Sequence, residues 1–324
     1  MKVLVTGGAG YIGSTVVSAL TDAGDEPVVI DDLSRGRAEF LTGVAHRIGD
    51  VADAAVLDAV FGEHPDISIA IHCAARMVVP ESLADPLTYY RENVAKAVQF
   101  TEGLLQRGCR RLVFSSSAAV YGTPDAEIVT EASPVRPESP YARSKVMVEQ
   151  ILADVCAATP LAALSLRYFN PVGCDPQHRS WPYDPAPTHA LGSLMRAWES
   201  RTPFYIHGND WPTPDGTPVR DFVHVWDVAL AHVAATHNWA ALAGGFDIVN
   251  VGSGAATSVL QLADAFNAEV DTPARVEFDG RRPGDTVGCH TSTQKANDVL
   301  QWQPTRSVKD AVVDLLALTE RQHP

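Results

Sequence analysis

A tyrosine and a lysine spaced four residues apart are the most informative feature of this sequence. Tyr141 and Lys145 lie in the segment Ser139-Pro140-Tyr141-Ala142-Arg143-Ser144-Lys145-Val146. If the segment is helical, residues at this spacing share a face, and the ammonium favours the ionised form of the phenol. Such a tyrosine can act as a base near neutral pH. Taken alone, the pair is equally compatible with a solvated helix that carries both residues by chance.

The amino terminus has the pattern of a dinucleotide-binding turn. A short apolar run, Lys2-Val3-Leu4-Val5-Thr6, leads into glycines spaced GxxGxxG and then into a helical pattern. Gly7 allows the tight turn, Gly10 lets backbone amides approach a pyrophosphate, and Gly13 permits close packing of helix and strand. We therefore expect a strand, a turn and a helix whose amino end faces a cofactor phosphate. A purely structural glycine turn is the alternative.

A second strand identifies the cofactor more closely. Pro27-Val28-Val29-Ile30 ends at Asp31-Asp32, which places a carboxylate eighteen residues after Gly13. In this fold a carboxylate at such a position accepts hydrogen bonds from the adenosine ribose and repels an added phosphate. The pattern therefore predicts NAD rather than NADP.

Further apolar runs alternate with helical patterns as far as Lys145 and predict a doubly wound parallel sheet of the Rossmann type. After the first two strands we expect strands at residues 45–48, 67–72, 111–114 and 161–166. Ligands of such sheets lie beyond the carboxyl ends of the strands. The residues that follow these strands should therefore line one crevice, and they include Asp50, Ala74, Ser117 and Asn170. Helices are expected at 89–106 and 142–157, and apolar stripes on both could pair in a dimer.

Length and composition point to two domains. The chain has 324 residues, 46% of them hydrophobic and 20% charged, which exceeds the usual size of a single core. From Pro171 the sequence becomes rich in proline, tryptophan and polar residues. We predict a Rossmann domain over 1–172, with a returning segment near 222–253. A smaller mixed α/β substrate domain is predicted over 173–221 and 254–324.

Charge and cysteine content exclude several classes of function. A formal net charge of −14 argues against nucleic acid as a partner. No apolar stretch reaches the ~20 residues that span a bilayer, and the chain begins in a strand rather than a signal peptide. Five cysteines without close pairs indicate free thiols in a reducing compartment, so we expect a cytoplasmic protein. Histidine and cysteine spacings predict no metal site.

Specific motifs along nearly the whole chain resemble the extended short-chain dehydrogenase/reductases and, within them, the UDP-galactose (UDP-glucose) 4-epimerases. Besides the glycine turn and the Tyr141–Lys145 pair, the motifs are residues 114–122 (FSSSAAVYG), 166–173 (LRYFNPVG), 208–213 (GNDWPT), 219–225 (VRDFVHV) and 281–285 (RRPGD). The resemblance implies an isomerase that inverts C4 of UDP-glucose or UDP-galactose in galactose metabolism. A tightly held NAD, a transient 4-keto sugar and a homodimer would accompany this activity.

The resemblance also implies roles for individual residues. Tyr141 would take the proton of the 4-hydroxyl, Ser117 would hydrogen-bond the same oxygen, and Lys145 would lower the pKa of the tyrosine and hold the nicotinamide ribose. The residues implied to bind NAD are Gly7, Gly10, Tyr11, Ile12, Gly13, Asp31, Asp32, Leu33, Ser34, Asp50, Val51, Cys73, Ala74, Ala75, Tyr141, Lys145, Tyr168 and Phe169. Those implied to bind the nucleotide sugar are Ser117, Tyr141, Asn170, His189, Leu191, Arg220, Arg282, Asp285 and Cys289. For the two arginines, an ordinary surface ion pair with Asp221 or Asp285 is the alternative.

Several positions depart from the epimerase pattern or narrow it. Related dehydratases and decarboxylases carry acidic groups after the serine, whereas Ala118 and Ala119 can transfer no proton. His189-Ala190-Leu191 replaces the usual Asn-Asn-Leu, Met77 replaces a lysine, and Glu92 stands where asparagine is common. Cys289 is small where some members have tyrosine, so an N-acetylated sugar could also be accepted. A structural role for this cysteine is the alternative.

Two other classes of function compete with the epimerase. A noncatalytic NAD sensor typically loses the tyrosine or the lysine, and both are present here. The other is a net oxidoreductase that releases its cofactor, such as a 4-ketosugar reductase. An epimerase for a different nucleotide sugar also remains open.

Overall fold

A computed structural model gives the structure of residues 1–184, 187, 189–239, 245–282 and 286–322. Within these residues the helices are α1 (Tyr11–Asp22), α2 (Ala54–Glu63), α3 (Val79–Ala84), α4 (Pro86–Tyr89), α5 (Lys96–Gln106), α6 (Pro140–Ala158), α7 (Ala190–Glu199), α8 (Val225–His237), α9 (Val259–Asn267), α10 (Gln294–Leu300) and α11 (Val308–Gln322). The strands are β1 (Lys2–Thr6), β2 (Glu26–Asp31), β3 (Ala45–Ile48), β4 (Ile69–His72), β5 (Arg111–Ser117), β6 (Ile128–Val129), β7 (Ala162–Tyr168), β8 (Asn170–Val172), β9 (Phe204–His207), β10 (Val219–Arg220), β11 (Phe222–His224), β12 (Phe246–Val251), β13 (Thr257–Ser258), β14 (Val276–Asp279) and β15 (His290–Thr291). None of the helices described is long and apolar enough to cross a membrane.

Seven strands form one parallel sheet in the order β12-β7-β5-β4-β1-β2-β3. The predicted doubly wound Rossmann-type fold is confirmed. Strands β1–β5 and β7 lie at or close to their predicted positions. The strand order reverses between β1 and β4, and a ligand crevice is expected over the carboxyl ends of the strands at such a point. β12 is the seventh strand and pairs in parallel with β7 from Phe246↔Ala163 to Val251↔Tyr168.

Apolar side chains cover both faces of the sheet, as a parallel sheet requires. One face packs against α1 and α8 through a core that includes Val16, Leu20 and Val228. The other face packs against α2, α5 and α6 through residues such as Phe100 and Leu152. The strands are therefore fixed from both sides, and the positions of their carboxyl ends are fixed with them.

A third apolar cluster lies in the second half of the chain. Its buried members come from α7, β9, α9 and α11 and include Leu194, Ile206, Phe266 and Leu315. Short strand pairs connect this part: β8 with β11, β9 with β14, and β10 with β13. Because β8 begins directly after β7, this part of the chain leaves the sheet at its carboxyl edge.

A π-helical segment, Tyr90–Ala95, connects α4 to α5 where the sequence predicts one regular helix. Its buried Asn93 accepts a hydrogen bond from Arg76 N (2.8 Å) and donates to Arg76 O (2.9 Å) and to Ser144 Oγ (3.0 Å). Asn93 thereby connects the loop that follows β4 to α6, the helix that carries Tyr141 and Lys145. Periodicity of apolar residues does not reveal such a segment, and π-turns of this kind occur frequently at functional sites.

Candidate active site

The helix predicted from the Tyr141–Lys145 spacing is α6. Its first turn begins at Pro140, and the Ser139 side chain caps it by accepting a hydrogen bond from Ala142 N (3.1 Å). Proline at the first helical position and serine at the N-cap are both favourable. This local sequence places Tyr141 in the first turn and Lys145 one turn later.

Ser117 lies beside Tyr141 at the carboxyl end of β5. Its hydroxyl forms a hydrogen bond with Tyr141, and its oxygen also accepts one from Ala119 N (3.2 Å), which starts a short 3₁₀ turn. The next strand, β7, is in register so that Ser117 pairs with Tyr168. The structure thus brings together the serine, tyrosine and lysine named from the sequence.

The buried ammonium of Lys145 lies near Tyr141. It donates to the Ser115 carbonyl (2.7 Å) and lies 4.9 Å from the Phe114 ring centroid and 5.9 Å from that of Tyr141. Burial lowers the pKa of Lys145 to about 8. Burial also raises the pKa of Tyr141, and the hydrogen bond with Ser117 acts in the opposite direction. The ammonium donates to the Ser115 carbonyl, and the expected lowering of the tyrosine pKa by Lys145 stays a prediction.

A buried ion pair, which the sequence reasoning missed, supports the same helix. Arg167 on β7 donates to both carboxylate oxygens of Glu149 (2.9 and 2.6 Å), and Ser116 Oγ donates to Glu149 Oε1 (2.6 Å). The charge of Glu149 acts to raise the pKa of Lys145 against the larger effect of burial. Glu149 is four residues after Lys145, so helical spacing places it on the same face as Lys145 but does not reveal its partner Arg167.

A chain of polar groups lies behind the site. His232 Nδ1 is 2.8 Å from the Val228 carbonyl and must donate to it, so Nε2 accepts from the Tyr168 hydroxyl (2.5 Å). Burial lowers the pKa of His232 to about 4, which keeps the ring neutral. The Tyr168 oxygen also lies 2.7 Å from Ser115 Oγ. Ser115 Oγ donates to Cys73 Sγ (3.1 Å), and burial raises the pKa of the Cys73 thiol to about 11.

The glycine turn fits a dinucleotide phosphate. Gly7 has a φ of +70°, and a Cβ there would lie 2.6 Å from Ala74 N; a Cβ on Gly13 would lie 2.1 Å from Gly7 O. Gly10 is open by comparison, with only Gly7 O within 4 Å, at 3.3 Å. It is the N-cap of α1, no side chain caps this helix, and no acidic residue lies in its first turn. The positive end of the helix dipole therefore faces a side on which a pyrophosphate can approach.

Asp31 is the better placed of the two candidate ribose ligands. Its buried carboxylate accepts hydrogen bonds from Ala9 N (2.9 Å) and Leu33 N (2.8 Å), and burial raises its pKa. Leu33 follows with a left-handed φ of +57°, which turns the chain back toward the glycine loop. Asp32 is exposed and accepts from Ser34 N (2.9 Å). The Asp31 carboxylate keeps lone pairs that can accept hydrogen bonds from a ribose diol.

The other predicted NAD ligands lie along the same edge. Asp50 follows β3, at the end of the sheet beyond β2, and its carboxylate pairs with Lys96 (2.8 Å), which also pairs with Glu92 (2.6 Å). Burial acts to raise the pKa of Asp50, but the hydrogen bonds from Lys96 and Ala52 N and the charge of Lys96 together lower it. The remaining members are Tyr11, whose hydroxyl donates to Gly173 O (2.7 Å), the half-buried Ile12, Ala74 and Ala75, and the buried Val51 and Phe169.

The predicted substrate residues fall into two groups. Asn170 begins β8, Arg220 ends β10, and Cys289 directly precedes β15. Asn170 donates through Nδ2 to Asp221 O (3.1 Å), and Arg220 Nη1 donates to Val219 O (2.7 Å). Cys289 packs against the cluster of Val120, Tyr121, Val129 and Phe169, and the nearby charge of Arg220 acts to lower its pKa against a larger rise from burial.

The second group lies at α7, after β14 or outside the described residues. His189 caps α7 by accepting a hydrogen bond from Gly192 N (3.1 Å), and the side chain of Leu191 is fully buried in the third apolar cluster. Arg282 is exposed, and Asp285 lies outside the described residues. The Asp221 carboxylate accepts from Thr291 N (3.0 Å) as well as from residues 253 and 254, and so joins two loops at this edge. No group of three or more potential metal-ligating side chains occurs among the residues described.

A doubly wound parallel sheet, a glycine turn at its first helix and a Ser-Tyr-Lys constellation after β5 define a dinucleotide-dependent enzyme of the short-chain dehydrogenase/reductase class. A sequence model of the NAD dependent epimerase/dehydratase family matches residues 3–252. The chain therefore belongs to this family. Its predicted use of NAD and its resemblance to UDP-glucose (UDP-galactose) 4-epimerases are thereby confirmed.

Individual relatives are similar to this chain over almost its full length. The UDP-glucose 4-epimerase from Azospirillum brasilense is 40% identical over 314 residues, which cover 96% of this chain and 90% of that protein. The crystal structure of UDP-glucose-4-epimerase from Stenotrophomonas maltophila with bound NAD and formylated UDP-arabinopyranose has a TM-score of 0.95 at 32% identity, covering 99% of this chain and 98% of that one. The UDP-Glc/GlcNAc 4-epimerase from Campylobacter jejuni has a TM-score of 0.85 at 31% identity, covering 99% of both chains.

Proposed function

We propose that this protein is an NAD-dependent isomerase that inverts C4 of UDP-glucose and UDP-galactose through a transient 4-keto sugar. The observation that carries the proposal is the hydrogen-bonded Ser117–Tyr141 pair above the buried ammonium of Lys145, at the end of β5. Relatives named UDP-glucose 4-epimerase that cover nearly the whole chain support the substrate class.

The residues of this chain perform the proton transfers. NAD, which the glycine turn and Asp31 would hold, would supply the hydride chemistry at C4. Tyr141 takes the proton of the 4-hydroxyl, and Ser117 donates a hydrogen bond to the same oxygen as it becomes a carbonyl. Lys145, with its pKa of about 8, remains largely protonated at pH 7 and stabilises negative charge near the tyrosine.

The residues after Ser117 favour simple epimerisation over elimination. Ala118 and Ala119 form the 3₁₀ turn that begins at the serine, and their methyl groups offer neither an acid nor a base. A dehydratase or a decarboxylase would need a titratable group at this point. The proposed reaction needs only the tyrosine, since the proton removed in the first half-reaction is returned in the second.

We propose the remaining substrate contacts on the same basis. Asn170 and Cys289 face the sugar, Arg220 and Arg282 hold the diphosphate, and His189, Leu191 and Asp285 contact the uridine. The half-buried Cys289 leaves more room than tyrosine would, so UDP-N-acetylated sugars are proposed as further substrates. The similarity to a UDP-Glc/GlcNAc 4-epimerase supports this extension. If a Cys289→Tyr variant had the same ratio of rates on the two substrate types as the parent, this extension would be rejected.

The assembly and location of the enzyme belong to the same proposal. Residues 1–172, with a returning segment near 222–253, bind NAD, and residues 173–221 and 254–324 bind the nucleotide sugar. A homodimer that joins α5 and α6 of two copies would cover Val98 and Met147, which are 41% and 39% exposed. Five free cysteines fit a reducing compartment and support a cytoplasmic enzyme.

The competing function is a 4-ketosugar reductase or an epimerase for another nucleotide sugar. The direct test incubates the protein, without added cofactor, with UDP-glucose, UDP-galactose and their N-acetylamino counterparts. We expect interconversion of C4 epimers without net NADH, and NAD(H) that stays with the protein through gel filtration. Stoichiometric NADH formation that stops after one turnover would instead support the reductase.

A further inference from the structure

The segment that leaves the sheet after β8 runs back across the outside of the Rossmann half. We call residues 173–184 the strap. It contacts α1 and the loop after β2: Tyr11 OH donates to Gly173 O (2.7 Å), Arg179 donates to Asp22 (2.7 Å), Ser180 Oγ lies 3.0 Å from Thr15 Oγ1, and Tyr183 OH donates to Arg35 O (2.5 Å). The strap therefore connects the predicted substrate part to the far end of the predicted cofactor site.

Aromatic contacts fix the end of the strap. Trp181 packs edge-on against Phe40, with ring centroids 4.9 Å apart at 81°, and Tyr183 packs against the same ring at 5.5 Å. The guanidinium of Arg37 lies 5.4 Å from the Tyr183 ring centroid. Phe40 is 7% exposed, so these side chains form a small core of their own over the loop after β2.

The loop held by the strap is the wall of the Asp31 site. Arg37 N donates to Ala9 O (2.9 Å), which ties the loop to the glycine turn. A Cβ on Gly36 would lie 2.6 Å from the Ala9 side chain and 2.8 Å from Asp31 Oδ1. The charge of Asp31 also acts to raise the pKa of Tyr183, beside the larger effect of burial. The aromatic end of the strap and the ribose-binding carboxylate are thus neighbours on opposite sides of one thin loop.

We propose that Tyr183 is a cofactor-retaining residue: with Trp181 and Phe40 it clamps the loop of residues 33–37 over the adenosine ribose, so that NAD leaves only when the strap is displaced. This inference rests on the proposed function, because it assigns a residue to the same NAD site. An enzyme that reduces and reoxidises one NAD has no need to release it in each turnover. A reductase, by contrast, would be slowed by such a clamp.

A purely structural strap is the competing explanation, and variants can separate the two. Tyr183→Ala and Trp181→Ala remove the aromatic contacts. Trp198→Ala is the matched control: Trp198 also packs edge-on against a phenylalanine, Phe266, at 5.6 Å and 75°, and donates to a backbone carbonyl. The measurement is the rate at which bound NAD(H) leaves each purified protein after dilution into buffer with a cofactor scavenger.

We expect NAD(H) dissociation about tenfold faster in Tyr183→Ala and Trp181→Ala, since an aromatic contact is worth on the order of 1 kcal/mol or more. Trp198→Ala should match the parent, and Tyr183→Phe, which keeps the ring, should lie between. Parent-like dissociation in Tyr183→Ala, or equal acceleration in Trp198→Ala, would overturn the assignment. A parent protein that holds no NAD would contradict the proposed function instead.

A second measurement uses only the parent protein and does not depend on variants that fold. Backbone hydrogen exchange is compared with and without NAD. We expect NAD to slow exchange in the strap and in residues 33–37 together, because the bound ribose would favour the closed loop. Protection of the glycine turn without any change in the strap would also overturn the assignment.

Discussion

The chemistry proposed here depends on a tyrosine whose own surroundings oppose its ionisation. Burial raises the pKa of Tyr141, and Ser117 is the group that acts to lower it. Lys145 contributes a nearby positive charge but directs its ammonium to the Ser115 carbonyl. A buried base of this kind is useful because its proton moves only when a substrate oxygen takes part in the same hydrogen-bond network.

Removing the tyrosine hydroxyl tests this role. Tyr141→Phe should lower turnover by about two or more powers of ten, because general-base catalysis contributes roughly that much. The phenyl ring retains the packing, so NAD content and the midpoint of thermal unfolding should stay near those of the parent. Steady-state rates on UDP-galactose, measured beside both controls, check the prediction. Near-normal turnover would remove the tyrosine from the mechanism.

Lys145 should carry a cost in stability that depends on pH. Its pKa falls from 10.5 to about 8 on folding, so the charged form is disfavoured in the folded state. The unfolded chain binds more protons between these values, and stability from this group therefore rises as pH increases from about 8 to 10.5. At one pKa unit per 1.36 kcal/mol, the cost below pH 8 is about 3 kcal/mol.

A Lys145→Met variant makes this cost measurable. We expect it to lose activity while unfolding at pH 7 with a free energy no smaller than that of the parent. Its advantage over the parent should then shrink by on the order of 1–3 kcal/mol between pH 7.5 and pH 10. Urea unfolding of both proteins at each pH gives the difference. A pH-independent difference would show that the lysine is not perturbed by burial.

At the scale of elements, the amino end of α6 determines where the tyrosine sits. The cap from Ser139 to Ala142 N and the first turn that contains Tyr141 belong to one local structure. Ser307 makes the same contact at α11, where its hydroxyl accepts from Asp310 N at 3.2 Å. The chain therefore offers two serine caps of similar geometry, only one of which adjoins the site.

Alanine substitution at each cap distinguishes an effect on the stability of the protein from an effect on the position of Tyr141. Ser139→Ala and Ser307→Ala should each cost about 1 kcal/mol of unfolding free energy. Only Ser139→Ala should also lower kcat, by several-fold, because fraying of the first turn displaces the tyrosine. Denaturant unfolding and steady-state kinetics on the same preparations provide both quantities. A similar drop in kcat for Ser307→Ala would trace the effect to general destabilisation.

Much of the fold and of the site follows from local sequence signals, and the exceptions have physical causes. The glycine turn, the strands and the position of Tyr141 and Lys145 on one helix follow from periodicity and spacing. The π segment around Asn93, the ion pair of Glu149 with Arg167 and the contact of Tyr183 with Arg35 do not. These contacts join residues that are 17 to 148 positions apart in the sequence, so local sequence patterns do not predict them.

At the scale of the whole molecule, several apolar side chains are exposed on helices that pack beside one another. On the helices around the sheet these are Val79 and Leu83 of α3, Leu87 of α4, Val98 of α5 and Met147 of α6. α6 contacts both α3 and α4, so these side chains lie on neighbouring elements. Exposed apolar side chains on neighbouring helices are typical of a protein interface, and a second copy of α5 and α6 is the partner proposed above.

A charged residue among these exposed side chains should dissociate the dimer. Val98→Glu places a carboxylate where the proposed interface excludes water, and an unpaired buried charge costs several kcal/mol. Val313→Glu on α11 is the matched control, because Val313 is 40% exposed, close to the 41% of Val98, on a different helix. Sedimentation velocity at several concentrations should show a monomer for Val98→Glu and a dimer for Val313→Glu and the parent. Ser117, Tyr141 and Lys145 of the proposed site all come from one chain, so we expect the monomer to retain NAD and measurable turnover. A dimer that survives in Val98→Glu would place the interface on another surface.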